Sequence, residues 1–238
     1  IPVKIKNEIE INIDIIDLVL ESTVINDYDI LIFSQKIISK KEGRIVDLSS
    51  INPSLLASGI ASSYEKDSRL VELILSESKR IVRMQDGVII VETNHGFVCA
   101  NAGIDESNVK DGYVTMLPVD PDQSADKLKN QIEQKTKKKI AVIISDTFGR
   151  PFRLGQANIA IGIAGIEPII DYKGKPDTFG NPLQVTAIAI ADELCSASEL
   201  VMGKVKNCPV AIIRNFKFDF SDSKIQKMIR PKTEDMFR

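Results

Sequence analysis

The chain has 238 residues, and its 31 Lys+Arg against 33 Asp+Glu leave a formal net charge of −2, so it has no general attraction for nucleic acid or an anionic membrane. At this length a compact chain buries roughly 70–75% of its unfolded surface, enough for a full core without disulfides or metal staples. With 43% hydrophobic and 27% charged residues, collagen-like, disulfide-scaffold and disordered classes are excluded. The opening residues, Ile1-Pro2-Val3-Lys4-Ile5-Lys6, lack the basic-then-apolar layout of a signal peptide, and the missing initial Met points to a trimmed start. No window approaches 18 consecutive apolar residues, so no membrane-spanning helix is expected. Cys99, Cys195 and Cys208 are dispersed and odd in number, which fits a reducing cytoplasm. Because His95 is the sole histidine, any metal must be held mainly by oxygen, favouring Mg²⁺ or Mn²⁺ over Zn²⁺.

In chain order, short apolar runs bounded by turn signals predict strands over 28–33, 87–92, 97–101, 113–117, 140–145, 186–190 and 210–214. Helical spacing predicts helices over 54–65, 68–80, 122–137 and 191–203. The helix over 122–137 starts acidic and ends in lysines, the polarity its dipole favours. Glycine at 203 stops the last one. Strands and helices alternate irregularly, so the expected fold class is α+β, or mixed α/β, and not a doubly wound sheet. There is no internal repeat or low-complexity linker.

Three polar clusters go beyond what a fold needs. Asn101-Ala-Gly-Ile-Asp105-Glu-Ser-Asn108 follows a strand and presents oxygen ligands on a loop; an Asx-rich turn satisfying its own backbone is the plain alternative. In Ser145-Asp146-Thr147-Phe-Gly149-Arg150-Pro-Phe-Arg153 an apolar strand runs into Asp-Thr and a glycine turn. Asp146 and Thr147 are adjacent hard-oxygen ligands of the sort Mg²⁺ takes. Arg150 and Arg153 have forked donors for phosphate or carboxylate, unless they only pair with the Asp in a surface turn. The third cluster follows the strand at 28–33. There Ser34-Gln35-Lys36 opens a helix on which Lys36 and Lys40, at i and i+4, share a face suited to polyphosphate or simply to solvent. No Walker A loop, GxGxxG after a strand, or GxSxG elbow exists. His95, at a turn before Gly96, reads as structural, and Cys99, within a strand, as a small buried apolar residue. The residues alone thus reach a Mg²⁺-type, phosphate-handling site built from loops.

At these stretches the sequence resembles the coenzyme F420:L-glutamate ligase family, also called coenzyme F420-0 gamma-glutamyl ligase. The resemblance rests on SKKEGRIVDL (39–48), DSRLVELILSES (67–78), HGFVCANAGIDESNV (95–109), LPVDPDQSA (117–125), SDTFGRPFRLGQ (145–156) and ADELCSASELVMGK (191–204), in the family's order. It implies a GTP-dependent amide ligase that joins L-glutamate through γ-linkages to the phospholactyl end of the deazaflavin coenzyme precursor, releasing GDP and phosphate. It also implies Mg²⁺ or Mn²⁺, a response to K⁺, a homodimer, and one two-lobed α+β unit across 1–238. Carried over by motif, the metal ligands fall on Asp105, Asp146 and Thr147. Nucleotide contacts fall on Gln35, Lys36, Lys40, Asn108, Met202, Gly203 and Lys204. By their chemistry Arg150 and Arg153 are assigned to orienting the anionic acceptor, acting with Asp105 and Asp146. The chain departs from the family at 5–9, where Ile-Lys-Asn-Glu-Ile replaces Gly-x-Pro-x-Ile, and after Gly203, where Val205-Lys-Asn-Cys208 replaces a Gly- and acid-rich loop. A ligase for another acceptor, a metal-dependent nucleotide hydrolase and a nucleotide-binding module are the alternative expectations.

Overall fold

The computed structural model describes residues 1–5, 9–11 and 13–235. In chain order the elements are β1 (Pro2–Val3), α1 (Ile15–Ser22), β2 (Ile30–Ser34), α2 (Gln35–Lys41), β3 (Ile45–Asp47), α3 (Leu55–Tyr64), α4 (Ser68–Ser76), β4 (Ser78–Gln85) and β5 (Val88–Thr93). There follow β6 (Val98–Ala100), β7 (Tyr113–Thr115), α5 (Pro121–Thr136), β8 (Ala141–Arg150), β9 (Arg153–Ala164), β10 (Ile170–Asp171), β11 (Ala187–Ile188), α6 (Ile190–Met202) and β12 (Val210–Ile213). This is the mixed α+β class expected from the irregular alternation.

The main sheet has the order β1-β12-β2-β8-β9, with β2 and β8 parallel and the other pairs antiparallel. Its centre is where the sequence is most apolar. Ile30 to Phe33 and Ala141 to Ile144 are fully buried, since strands covered on both faces read as continuous apolar runs. Parallel neighbours need a long crossover. Here the crossover carries a second hydrophobic cluster, running from Leu48 to Met116 and including Ala57, Leu70, Ile74, Ile89 and Val114. The first cluster lies on the main sheet, with Ile15, Phe33, Ile132 and Ile143 among its members.

The helices begin where the sequence offers caps. Asp14, Ser54, Asp67 and Asp120 each accept a backbone N–H with the side chain, and Pro121 occupies the first turn of α5. The start of α5 is pinned to β9. Asp122 Oδ1 accepts from Ile163 N at 2.8 Å, and a Cβ at Gly162 would stand 2.5 Å from the Pro121 carbonyl.

Three expectations need correcting. The helix over 68–80 ends at Ser76, and Ser78–Gln85 is a strand paired antiparallel with β5, its burial closer to alternation than to a helical stripe. The strand over 140–145 continues through Asp146 and Thr147 to Arg150, because β9 supplies a pairing partner along its whole length. Of 186–190, only Ala187–Ile188 is strand, and Ile190 already opens α6. Among the described residues no helix is long and apolar enough to cross a membrane.

Candidate active site

Register places the site. Ser34, the last residue of β2, pairs with Ser145 on its parallel neighbour β8, so Lys36, just past the carboxyl end of β2, stands beside Asp146, which continues along β8. Open sheets bind ligands at the carboxyl ends of such strands. The loop after β6 delivers Asp105 to the same place, where its backbone bridges to Thr115 of β7. Gln35 donates to Met116 O at 3.2 Å and so ties α2 to the end of that strand.

Lys36 Nζ lies 2.7 Å from Asp105 Oδ2 and donates to Ser107 Oγ at 2.5 Å. The Ser107 amide donates to Asp105 Oδ1 at 2.7 Å, so the Asx turn is present together with the ion pair. Burial alone would raise the Asp105 carboxyl. The Lys36 and Ser107 hydrogen bonds outweigh it and hold the group below the ordinary Asp value. Asp146 behaves in the opposite sense. Burial is the main cause, and the negative charge of Asp105 adds to it, so that its pKa is pushed up to about 6 against the Thr147 N–H, Lys204 and Lys36. The charges of three other sequence-predicted residues, Lys36, Asp105 and Lys204, therefore all act on Asp146, and the four come from four separate segments.

Thr147 and Lys204 belong to the same assembly. The Lys204 ammonium donates to Thr147 Oγ1, and Thr147 donates onward to Asn158 Oδ1 at 2.7 Å. Behind the carboxylates, Cys99 is buried, with its thiol pushed up to about 12 by burial and then by the Asp146 charge. An inert thiol is what the sequence reading requires there. Phe97 meets Phe148 edge-on at 6.2 Å, and His95 stacks on Phe97 with Nε2 2.9 Å from Pro118 O, in keeping with a structural histidine.

Other expected contacts stand apart from this assembly. Gln35 is buried and its amide donates to Ser39 Oγ at 2.5 Å. Met202 packs with Cys208 and Ala211. Lys40 lines a cavity of about 520 Å³ with Ile9, Ile45, Val109 and Tyr113. Asn108 is exposed on the left-handed turn beside that cavity, and Gly203 caps α6 with φ +58°. Arg150 folds back on the hairpin tip, donating to Leu154 O at 2.6 Å, and Arg153 stands exposed at the same tip. Arg150 lies four residue steps along the strand from Asp146, roughly 13 Å of extended chain. In the departing segment 5–9, residues 6–8 lie outside the described residues.

The donor set can be tested against the implied cation. Among the described residues no group of three or more His, Cys, Asp or Glu side chains is arranged to hold a metal ion. Mg²⁺ and Mn²⁺ at phosphate sites typically take one or two carboxylates and complete their shell with phosphate and water. Two carboxylates close enough to raise one pKa, with a neighbouring hydroxyl, fit an ion of that kind arriving with a nucleotide.

Asn158 and Glu199 escaped sequence reading. The usable signals were an amide within the apolar run of β9 and an acid in the last turn of α6, where the helix dipole disfavours it.

A mixed α+β fold that gathers two carboxylates and two ammonium groups around Asp146 presents an enzyme-type site. Residues 4–215 match the F420-0:gamma-glutamyl ligase family, and the chain belongs to it. A protein of Methanothermobacter thermautotrophicus named coenzyme F420:L-glutamate ligase is 48% identical over 215 residues, covering 89% of this chain and 85% of its own length. One of the same name from Methanocaldococcus jannaschii is 47% identical over 215 residues, covering 90% and 86%. A third, from Methanopyrus kandleri, is 39% identical over 242 residues, covering 100% and 96%.

Proposed function

We propose that this chain is the GTP-dependent ligase that adds L-glutamate through γ-linkages to coenzyme F420-0, the deazaflavin precursor. The reading is supported by the family and by the names of its relatives. The observation that carries it is the meeting of Asp105, Asp146, Lys36 and Lys204, two carboxylates and two ammonium groups from distant segments, beside the carboxyl end of β2.

A carboxylate does not condense with an amine in water until one of its oxygens becomes a leaving group. In the first step an F420-0 carboxylate oxygen bonds to the γ-phosphorus of GTP as the bond to the β,γ-bridging oxygen breaks, and GDP leaves with that electron pair. In the second step the glutamate amine attacks the acyl carbon. The C–N bond forms, the C–O bond to phosphate breaks, and the amine gives up a proton. Phosphoryl transfer of this kind is governed by positioning and charge neutralisation. Lys36 and Lys204 serve it as cations facing the phosphates, and Lys40 and Asn108 border the cavity assigned to the rest of the nucleotide. Gln35, Met202 and Gly203 are the remaining nucleotide contacts of this reading. Arg150 and Arg153 receive the anionic acceptor at the hairpin tip. Asp105, Asp146 and Thr147 would hold Mg²⁺ or Mn²⁺, which supplies charge neutralisation and orientation at the phosphates. A K⁺ response, a homodimer and a two-lobed unit belong to the same reading.

Phosphate release from GTP tests it. Release that requires both L-glutamate and F420-0 supports the ligase, whereas release with neither marks a hydrolase and binding without release a nucleotide-binding module.

A further inference from the structure

Behind Lys204 lies a closed ring of polar contacts that the proposed chemistry leaves unassigned. Asn158 sits in β9 directly across from Thr147 and is 4% exposed, in a strand whose next residues are Ile159, Ala160 and Ile161. Burying an amide there is unfavourable unless each end is bonded. Its Oδ1 accepts from Thr147 Oγ1 at 2.7 Å, and its Nδ2 donates to Glu199 Oε2 at 2.9 Å. Glu199 Oε1 then faces Lys204 Nζ at 3.5 Å, and Lys204 donates to Thr147, closing the circuit. A second contact, Lys204 Nζ to Asn158 Oδ1 at 3.5 Å, places three different oxygens around one ammonium.

Stability gives little reason for this arrangement. The Lys204 side chain is 61% exposed, and exposed ion pairs contribute little. Glu199 stands in the last turn of α6, the end where an acid opposes the helix dipole. What the ring does achieve is to hold a flexible side chain, at the helix-to-loop junction after Gly203, in one place. That place adjoins Asp146, whose carboxyl feels the Lys204 charge. An ammonium fixed before its anion arrives does not have to be ordered during binding.

Resting on the ligase reading above, we propose that Asn158 and Glu199 are positioning residues that hold the Lys204 ammonium on Thr147 as a preset cation for the phosphate chain of the nucleotide. Lys204 touches the substrate, and the other two act through it.

The experiment measures GDP binding by titration calorimetry in Mg²⁺ buffer, for the wild-type protein, Glu199→Gln, Lys204→Met and the double variant, with thermal melting of each. Glu199→Gln keeps an acceptor for Asn158 and removes only the charge that steers Lys204. The expected result is about a tenfold loss of GDP affinity in each single variant, the scale of one weakened charge contact. The double variant should be no weaker than Lys204→Met alone, and all four should melt alike. Equal affinity in wild type and Glu199→Gln, or losses that multiply in the double variant, would overturn the positioning role while leaving the ligase reading intact. A wild-type protein that binds no GDP would overturn both.

Discussion

Lys36 and Asp105 lie 69 positions apart in sequence, yet their charged atoms are 2.7 Å apart, and Ser107 bonds to both. The pair joins the start of α2 to the loop after β6, so the cation from one cluster and the acid from another share one site. Both side chains are partly exposed, and such a pair contributes about 0.2–1 kcal/mol to stability. Lys36→Met should therefore leave the melting temperature within about 4 °C of the wild type. If the ammonium serves the phosphates, turnover should fall about 10²-fold. Steady-state kinetics beside a melting curve checks both halves.

Asp146 carries the reverse balance of stability and function. Its folded pKa, about 6, lies above the ordinary 3.8, so the folded state prefers the proton. The ionised carboxylate therefore lowers stability in full above about pH 6, and that cost disappears as the pH falls from about 6 toward 4. In metal-free buffer at pH 7, Asp146→Asn should be more stable than wild type by about 3 kcal/mol, and the gain should shrink by pH 4.5. Its ligase turnover should drop by about 10²–10³. Urea unfolding at two pH values, with one activity assay, tests the exchange.

The same titration predicts a pH dependence of cation binding. A carboxylate ligand must be ionised to coordinate. Mn²⁺ affinity should be level near pH 7 and weaken as the pH drops through about 6, as Asp146 takes up its proton. Asp105, held below the ordinary carboxylate range by Lys36 and Ser107, should not contribute in that window. Mn²⁺ titrations followed by electron paramagnetic resonance measure this, and a flat profile from pH 7 to pH 5 would remove Asp146 from the ligand set.

Gly162→Ala probes the scaffold and not the chemistry. Its Cβ would meet Pro121 backbone at 2.5 Å, where α5 packs on β9. Neither element can yield without disturbing the bond from Ile163 N to Asp122. Overpacking of this kind costs about 3 kcal/mol, to be read from the shift in the urea midpoint at unchanged slope.

The legibility of the sequence followed the range of the physics. Ile30 to Phe33 and Ile140 to Ile144 announce buried strands because covered parallel neighbours need unbroken apolar runs. Ser54 and Asp120 announce helix starts because their side chains close the first turn. Asp105 and Asp146 were legible as oxygen donors from their motifs, although their proximity depends on the β2–β8 register and on the bridge from the loop after β6 to β7, which no local pattern encodes. Beyond Ser145 the sequence reads as turn, with Asp, Thr and Gly in succession, yet pairing with β9 keeps it extended to Arg150. Ser78–Gln85 was hidden in the same way, since its burial alternates imperfectly and a strong helix precedes it. Asn158 and Glu199 are marked locally only as an amide in an apolar strand and an acid in a helix's last turn, and their partners come from a cross-strand neighbour and a helix end that no local pattern supplies.

The central claim is tested most directly by mass analysis of the products formed by purified protein with GTP, Mn²⁺, L-glutamate and F420-0. A deazaflavin product heavier by one or more glutamyl residues, with one GDP and one phosphate for each residue added, is the predicted result. Unchanged F420-0 alongside consumed GTP would contradict it.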